Sequence, residues 1–267
     1  MKLSLKLLLL WSLVAQSPAA TADALERIRE RGELIVAVKN EGNPDRAAHK
    51  DPAHFQKRGY ELALAAAIAH RLLGEPGKLR IETLRKPDRL PAVVDGRVDL
   101  GLSMFRIVPA AAALVDFSVP YYESATAVMQ RAAGGIREPG DLMGRRIGVI
   151  ARNDAGPEPL LQRGADGQGP AQVLEFPSFD AAAAAIEAGE IDGLLSESVN
   201  IDVYLAGRGG ALSRSPVLSR TPVGVAVPKG NPALLREIDK LLVDYAQAGT
   251  LARLQREHGL PVPAPST

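Results

Sequence analysis

Residues Val115–Ser124 read VDFSVPYYES: an acid, an aromatic and a serine, then a proline and two tyrosines, with the β-prone run Thr126–Gln130 following at once. Upstream of this stretch, strand-like and helix-like segments alternate, and downstream the same alternation begins again. A β-prone segment joining two similar βα blocks is expected to be a hinge, and proteins with two hinged lobes commonly hold a ligand in the cleft between them.

Working outward, the upstream block contains a short charged helix at Leu25–Gly32 and a buried strand at Leu34–Val38. A polar loop is expected over Lys39–Gly59. A helix follows over Tyr60–Leu73, ended by Gly74 and Pro76, then a strand at Leu79–Leu84. A short helix at Leu90–Asp95 and a strand at Val98–Phe105 complete the block. Beyond the hinge, strands are expected at Arg146–Ile150, Val173–Phe176 and Ile191–Leu195. Helices are expected at Pro157–Arg163, Ser178–Ala188 and Val199–Ala206, with a glycine-rich loop at Gly164–Pro170. Pro222–Val227 is β-prone again and reads as a return crossing. Asn231–Ala248 and Thr250–His258 are helices, the first capped by Asn231 with Pro232 in its first turn. Strands alternating with helices at this spacing imply βαβ units and largely parallel sheets.

Two crossings make the first lobe discontinuous. It is expected to take 23–120 and 223–267, with the second lobe at 121–222. The fold class is therefore α/β, two lobes joined by a two-strand hinge.

Composition narrows the function. The 267 residues carry 32 basic and 31 acidic side chains, which gives no electrostatic case for nucleic acid or an anionic membrane. Lys2 and Lys6, the apolar run Leu7–Ala15 and the Ala20-Thr21-Ala22 site form the three parts of a secretory signal peptide over 1–22. Its apolar run is too short to span a bilayer. The chain contains no cysteine, so neither a disulfide framework nor a lipid-anchoring cysteine at the cleavage site is available. A free, monomeric periplasmic protein is the expectation. His49, His54, His70 and His258 form no ligand-like cluster, no phosphate loop or nucleophile elbow occurs, and no cofactor or metal is expected.

Six phrases in order along the chain carry a resemblance: GYELALAAAIAHRL (59–72), LPAVVDGRVDLGLS (90–103), VDFSVPYYES (115–124), GDLMGRRIGV (140–149), AAAAAIEAGEIDGLLSES (181–198) and VAVPKGNPALLREIDKLL (225–242). Together they resemble the family 3 extracellular solute-binding proteins, the amino-acid-type receptors of bacterial ABC importers. The resemblance implies a type II periplasmic-binding-protein fold, closure on a small-molecule ligand, and an inner-membrane ABC permease as transient partner.

At the positions that read the ligand, the chain departs from that pattern. The family's T-x-E-R phrase, whose arginine clamps the ligand carboxylate, falls on Arg106–Ala113, with Val108 at the threonine position and Ala111 at the arginine position. A guanidinium–carboxylate pair is bidentate and directional, so alanine cannot replace it. The acid that receives a ligand ammonium falls on Glu197, the serine or threonine loop of the second lobe on Ala151–Asp154, and the flanking aromatic near Lys86. Charge suggests the substitutes. Lys39, Lys86 and Arg106 each follow a strand of the first lobe, and ligands of parallel α/β sheets sit outside the carboxyl ends of strands. Arg106, next to Ser103 and Phe105, is the candidate replacement clamp. Arg152 and Asn153 face it from the second lobe, Glu197 takes a ligand donor, and Phe55 stacks on the ligand. Tyr60, Tyr121 and Tyr122 are assigned to packing.

The function expected is capture of a small polar, carboxylate-bearing, amino-acid-like ligand for an ABC importer, without catalysis. Two alternatives stand beside it. One is a periplasmic interaction protein with a degenerate cleft, of the kind that accompanies quinoprotein dehydrogenases. The other is a dehydratase-like enzyme on the same scaffold with Glu197 as its acid.

Overall fold

The computed structural model describes residues 23–39, 51–74, 78–150, 161 and 170–262. The first sheet is built from β1 (Leu34–Lys39), β2 (Leu79–Leu84), β3 (Leu100–Gly101), β4 (Val115–Phe117) and β11 (Ala226–Pro228), in the order β2-β1-β3-β11-β4. β1 runs parallel to β2 and β3, whereas β11 returns antiparallel to β3 and β4. The second sheet has the order β10-β5-β8-β6-β7, from β5 (Tyr122–Arg131), β6 (Arg146–Ile150), β7 (Gln172–Phe176), β8 (Gly193–Glu197) and β10 (Ser219–Val223). β9 (Leu212–Arg214) pairs with the far end of β5. Here too part of the sheet is parallel: β6 runs parallel to β8 on one side and to the edge strand β7 on the other.

Helices α1 (Ala24–Arg31), α2 (His54–Leu73), α3 (Lys86–Val94) and α4 (Pro109–Ala112) accompany the first sheet, and α5 (Phe179–Ala188) and α6 (Ser198–Leu205) the second. The last two helices, α7 (Pro232–Gln247) and α8 (Thr250–Glu257), return to the first sheet. Their Leu234, Ile238, Leu241, Leu242 and Leu251 lie in one buried cluster with Ile28, Val36, Tyr60, Leu64 and Ile68. The second sheet has its own apolar clusters on its two faces, one around Met129, Phe179 and Ile186, the other around Val128, Ile136 and Ile147.

The chain crosses between the sheets where VDFSVPYYES predicts. β4 ends at Phe117 and β5 begins at Tyr122, and on the return β10 ends at Val223 and β11 begins at Ala226. The crossings lie side by side: Ser118 N–H donates to Val225 O (3.0 Å), Tyr121 N–H to Val223 O (3.0 Å), and Val225 N–H to Ser118 Oγ (2.9 Å).

Among the segments that differ from the sequence expectation, three lie close to the crossing strands. The helix expected from Tyr60 starts six residues earlier, at His54, and absorbs the end of the polar loop. Gly59 inside it is a packing glycine: a Cβ there would come within 2.5 Å of the His258 ring. The strand expected over Val98–Phe105 is confined to Leu100–Gly101, because the chain turns at Met104, whose φ of 50° is the left-handed region that side chains disfavour. That turn aims Met104 N–H at the Glu61 carboxylate, 2.5 Å away. Finally, the helix expected at Leu90–Asp95 begins four residues earlier, and α3 runs from Lys86 to Val94 directly after β2. The signal peptide, Pro157–Arg163 apart from Leu161, and Gly164–Gly169 lie outside the described residues.

Candidate functional site

In both sheets the parallel strands end toward the same place. Lys39 closes β1 and Glu197 closes β8, and Asp51, just before α2, and Lys57, in its first turn, join them. Lys39 Nζ contacts Asp51 Oδ2 at 2.5 Å, Asp51 Oδ1 lies 2.9 Å from Lys57 Nζ, and Lys57 Nζ lies 2.8 Å from Glu197 Oε2. Asn200, on the first turn of α6, accepts from Lys57 Nζ at 3.0 Å and from Ala53 N–H at 3.3 Å through the same Oδ1. Its Nδ2 donates to Ser196 Oγ at 3.5 Å. Thus a lysine that is only 6% exposed is held by acceptors on elements of both sheets. An ammonium has three N–H donors, and Asp51, Glu197 and Asn200 supply three acceptors.

Burial of this kind is tolerable only because the charges cancel. Desolvation alone would pull the Lys57 ammonium down, but Asp51 and Glu197 more than offset it and hold its pKa above the ordinary lysine value. Asp51 is the mirror case: burial would raise it, yet Lys57 and Lys39 keep its carboxyl well below the usual carboxylate range.

Behind the network, α2 grips the first crossing strand. Tyr60 Oη–H donates to Tyr121 O (2.7 Å), and Tyr121 Oη–H donates to Glu61 Oε1 (2.6 Å), which also accepts from Met104 N–H. Burial pushes Glu61 up despite these donors, and it pushes Tyr122 up to about 12. All three tyrosines are buried, as expected for packing residues.

The sequence candidates are distributed unevenly around this centre. Lys39 and Glu197 belong to it. Ser103 is buried, and its Oγ and O (3.3 Å) both accept from the Arg89 guanidinium. Phe105 packs in the apolar cluster of Ile35, Val93 and Val115, with the Arg89 guanidinium 6.0 Å from its ring centre. Arg106 is half-buried and forms an isolated antiparallel bridge with Val223, so it sits against the return crossing. Phe55 is 51% exposed and meets His54 edge-on at 5.4 Å. Ala111, at the position of the lost clamp, lies on the short helix α4. Arg152 and Asn153 lie outside the described residues.

Asp51, Lys57, Glu61 and Asn200 were not among the sequence candidates. One signal was available. Lys57 and Glu61 fall in register with Leu64, Ile68 and Leu72 once α2 is extended to His54, which puts two charges on its buried stripe. The register of Asn200 with Glu197 is equally local, one turn apart, but nothing in the sequence pairs either with Lys57. Two shallow depressions, of about 340 and 450 Å³, lie on the second lobe and not at this centre; Asp180, Tyr204 and Arg208 line one, Arg131, Arg146 and Asp192 the other.

Two α/β lobes, a paired crossing and a charged centre at the strand ends define a two-lobed binding-protein architecture. The sequence model of the bacterial extracellular solute-binding proteins, family 3, matches residues 34–261, and the chain belongs to that family. Among curated relatives, the glutamine-binding protein GlnH of Bacillus subtilis (strain 168) is 24% identical over 228 residues, 85% of this chain and 81% of that protein. The Glutamine-binding protein of Geobacillus stearothermophilus is 24% identical over 67% of this chain and 66% of its own length. Among solved structures, the P235GK mutant of the arginine-binding protein ArgBP from T. maritima superposes with a TM-score of 0.65 at 22% identity, covering 88% of this chain and 99% of that one.

Proposed function

We propose that the protein is a monomeric periplasmic receptor that captures a small, polar, carboxylate-bearing ligand between its lobes and delivers it to an ABC permease, without catalysing a reaction. The lobes are taken as 23–120 with 223–267, and 121–222. The observation that carries this reading is the convergence of Lys39 at the end of β1 and Glu197 at the end of β8 on one charged centre between two sheets. Ligands of parallel α/β sheets bind outside the carboxyl ends of the strands, and here two such ends oppose each other. Arg106 is proposed as the carboxylate-reading residue of the first lobe, with Ser103, Phe105, Lys86 and Phe55 around it and Arg152 and Asn153 opposite. Relatives include a glutamine-binding and an arginine-binding protein, which supports amino-acid-like ligands as the first class to test. Contacts to both lobes would stabilise the closed population.

A thermal-shift screen of amino acids, their carboxylate analogues and polyamines tests the proposal. A bound ligand at about 100 times its Kd adds about 2.7 kcal/mol to stability. The absence of a shift with every compound, at concentrations up to millimolar, would overturn it. One observation favours a second reading, the degenerate-cleft interaction protein: Glu197 is already paired with Lys57 of the chain itself. In that case the screen is silent and the protein is recovered bound to a periplasmic protein partner.

A further inference from the structure

The Lys57 ammonium is not a surface charge that happens to touch an acid. It is 6% exposed, and its three contacts are an aspartate of the first lobe (2.9 Å), a glutamate of the second (2.8 Å) and an amide oxygen of the second (3.0 Å). With three donors used, the group is fully satisfied. The four charges Lys39, Asp51, Lys57 and Glu197 sum to zero, so the centre is also electrically complete.

We propose that Lys57 is a specificity-determining residue: its tethered ammonium fills the acceptor site that Glu197 offers, so the cleft takes carboxylates that lack an α-ammonium group. This rests on the reading above that the ligand lies among these strand ends. An incoming ammonium would compete with Lys57 for Glu197 and would stand beside a buried like charge, which disfavours it strongly at low local dielectric. A ligand without that group meets neither obstacle. Asn200 makes the arrangement directional. Its Oδ1 holds Lys57 from the second lobe while also accepting from Ala53 N–H at the start of α2, so the ammonium cannot swing away without breaking contacts in both lobes.

The test uses matched pairs titrated by calorimetry: L-glutamate with glutarate, L-glutamine with 5-amino-5-oxopentanoate, and L-leucine with 4-methylpentanoate. The full mature chain is expected to bind one or more of the acids at least ten-fold more tightly than the matching amino acid. Lys57→Gln, which keeps a hydrogen-bonding side chain but no charge, is expected to shift that ratio at least ten-fold toward the amino acid. Should Lys57→Gln not fold, as judged by its melt without ligand, Glu197→Gln supplies a second arm; it is expected to change both members of a pair by the same factor. Preference of the wild-type protein for the amino acid, an unchanged ratio in Lys57→Gln, or a selective loss of the amino acid in Glu197→Gln would each overturn the inference and leave ligand capture standing. Binding of no probe by the wild-type protein or either variant would overturn both the inference and the carboxylate-receptor reading.

Discussion

Lys57 is where a single atom decides most. Substitution by alanine takes from Glu197 the ammonium it pairs with and leaves Asp51 paired with Lys39, and breaking a buried ion pair in this way costs about 3–5 kcal/mol. A urea titration should show the midpoint fall accordingly, whereas Arg253→Ala, which removes an exposed pair with Glu257, should shift it by under about 1 kcal/mol. Asp51 and Lys57 both keep their charges through the neutral range. The lowered Asp51 value gives stability that is present above the ordinary carboxylate range and lost as pH falls through the folded value; the raised Lys57 value gives stability present below the ordinary lysine value and lost only as pH rises through the folded one. Glu61 has the opposite sign. Because burial raises its pKa, the folded state holds that proton more tightly, and stability declines as pH climbs from the ordinary carboxylate value through the raised one. Denaturant midpoints at about pH 5 and about pH 8 should therefore differ in the wild type, and Glu61→Gln should narrow the difference. Asp99, also raised by burial, retains part of it.

At the scale of elements, helix α5 is a direct product of its sequence. Ser178 Oγ accepts from Ala181 N–H at 3.2 Å, Gly189 ends the helix in the left-handed conformation, and Ser178→Ala should cost about 1 kcal/mol in thermal or chemical unfolding. Gly193 marks where β8 presses against β5: a Cβ would stand 2.3 Å from Val128 Cγ1 and 2.9 Å from Met129 O. The backbone atom cannot yield, so Gly193→Ala should destabilise by about 1–3 kcal/mol, again read from the denaturation midpoint. Elements of this sort were legible because their signals are local. β2 and β6 occupy the expected residues, and α7 begins at Pro232 after its cap residue. Failures occurred where a distant partner overrides the local pattern. The expected strand at Val98–Phe105 breaks at Met104 because Glu61 of another element takes its N–H. The start of α2 looked like loop because its charges are satisfied by Glu197 and Asn200, some 140 positions away in the chain. The same reason hid Lys57 from the candidate site, while Glu197 was visible through the family resemblance, at the position of the acid that receives a ligand ammonium.

For the whole molecule, the division of the core predicts how it comes apart. Leu234, Ile238, Leu241, Leu242, Leu251 and Leu260 all belong to the cluster on the first sheet, and none lies in the clusters of the second. Ending the chain after Pro228 removes burial worth on the order of 10 kcal/mol, comparable to the whole stability of an ordinary domain. Limited proteolysis of such a truncation should digest the first lobe and leave a resistant fragment around residues 121–222. The links themselves set what the intact molecule can do. Only Ser118–Tyr121 on one strand and Gly224–Val225 on the other separate the sheets, and the two links are stitched to each other by hydrogen bonds. A pair of short, laterally bonded straps bends easily about the line that joins them and resists both torsion and sliding. Any relative motion of the lobes would thereby be confined to little more than one direction, so opening and shutting would retrace a single arc and return Lys57 to the same seat each time.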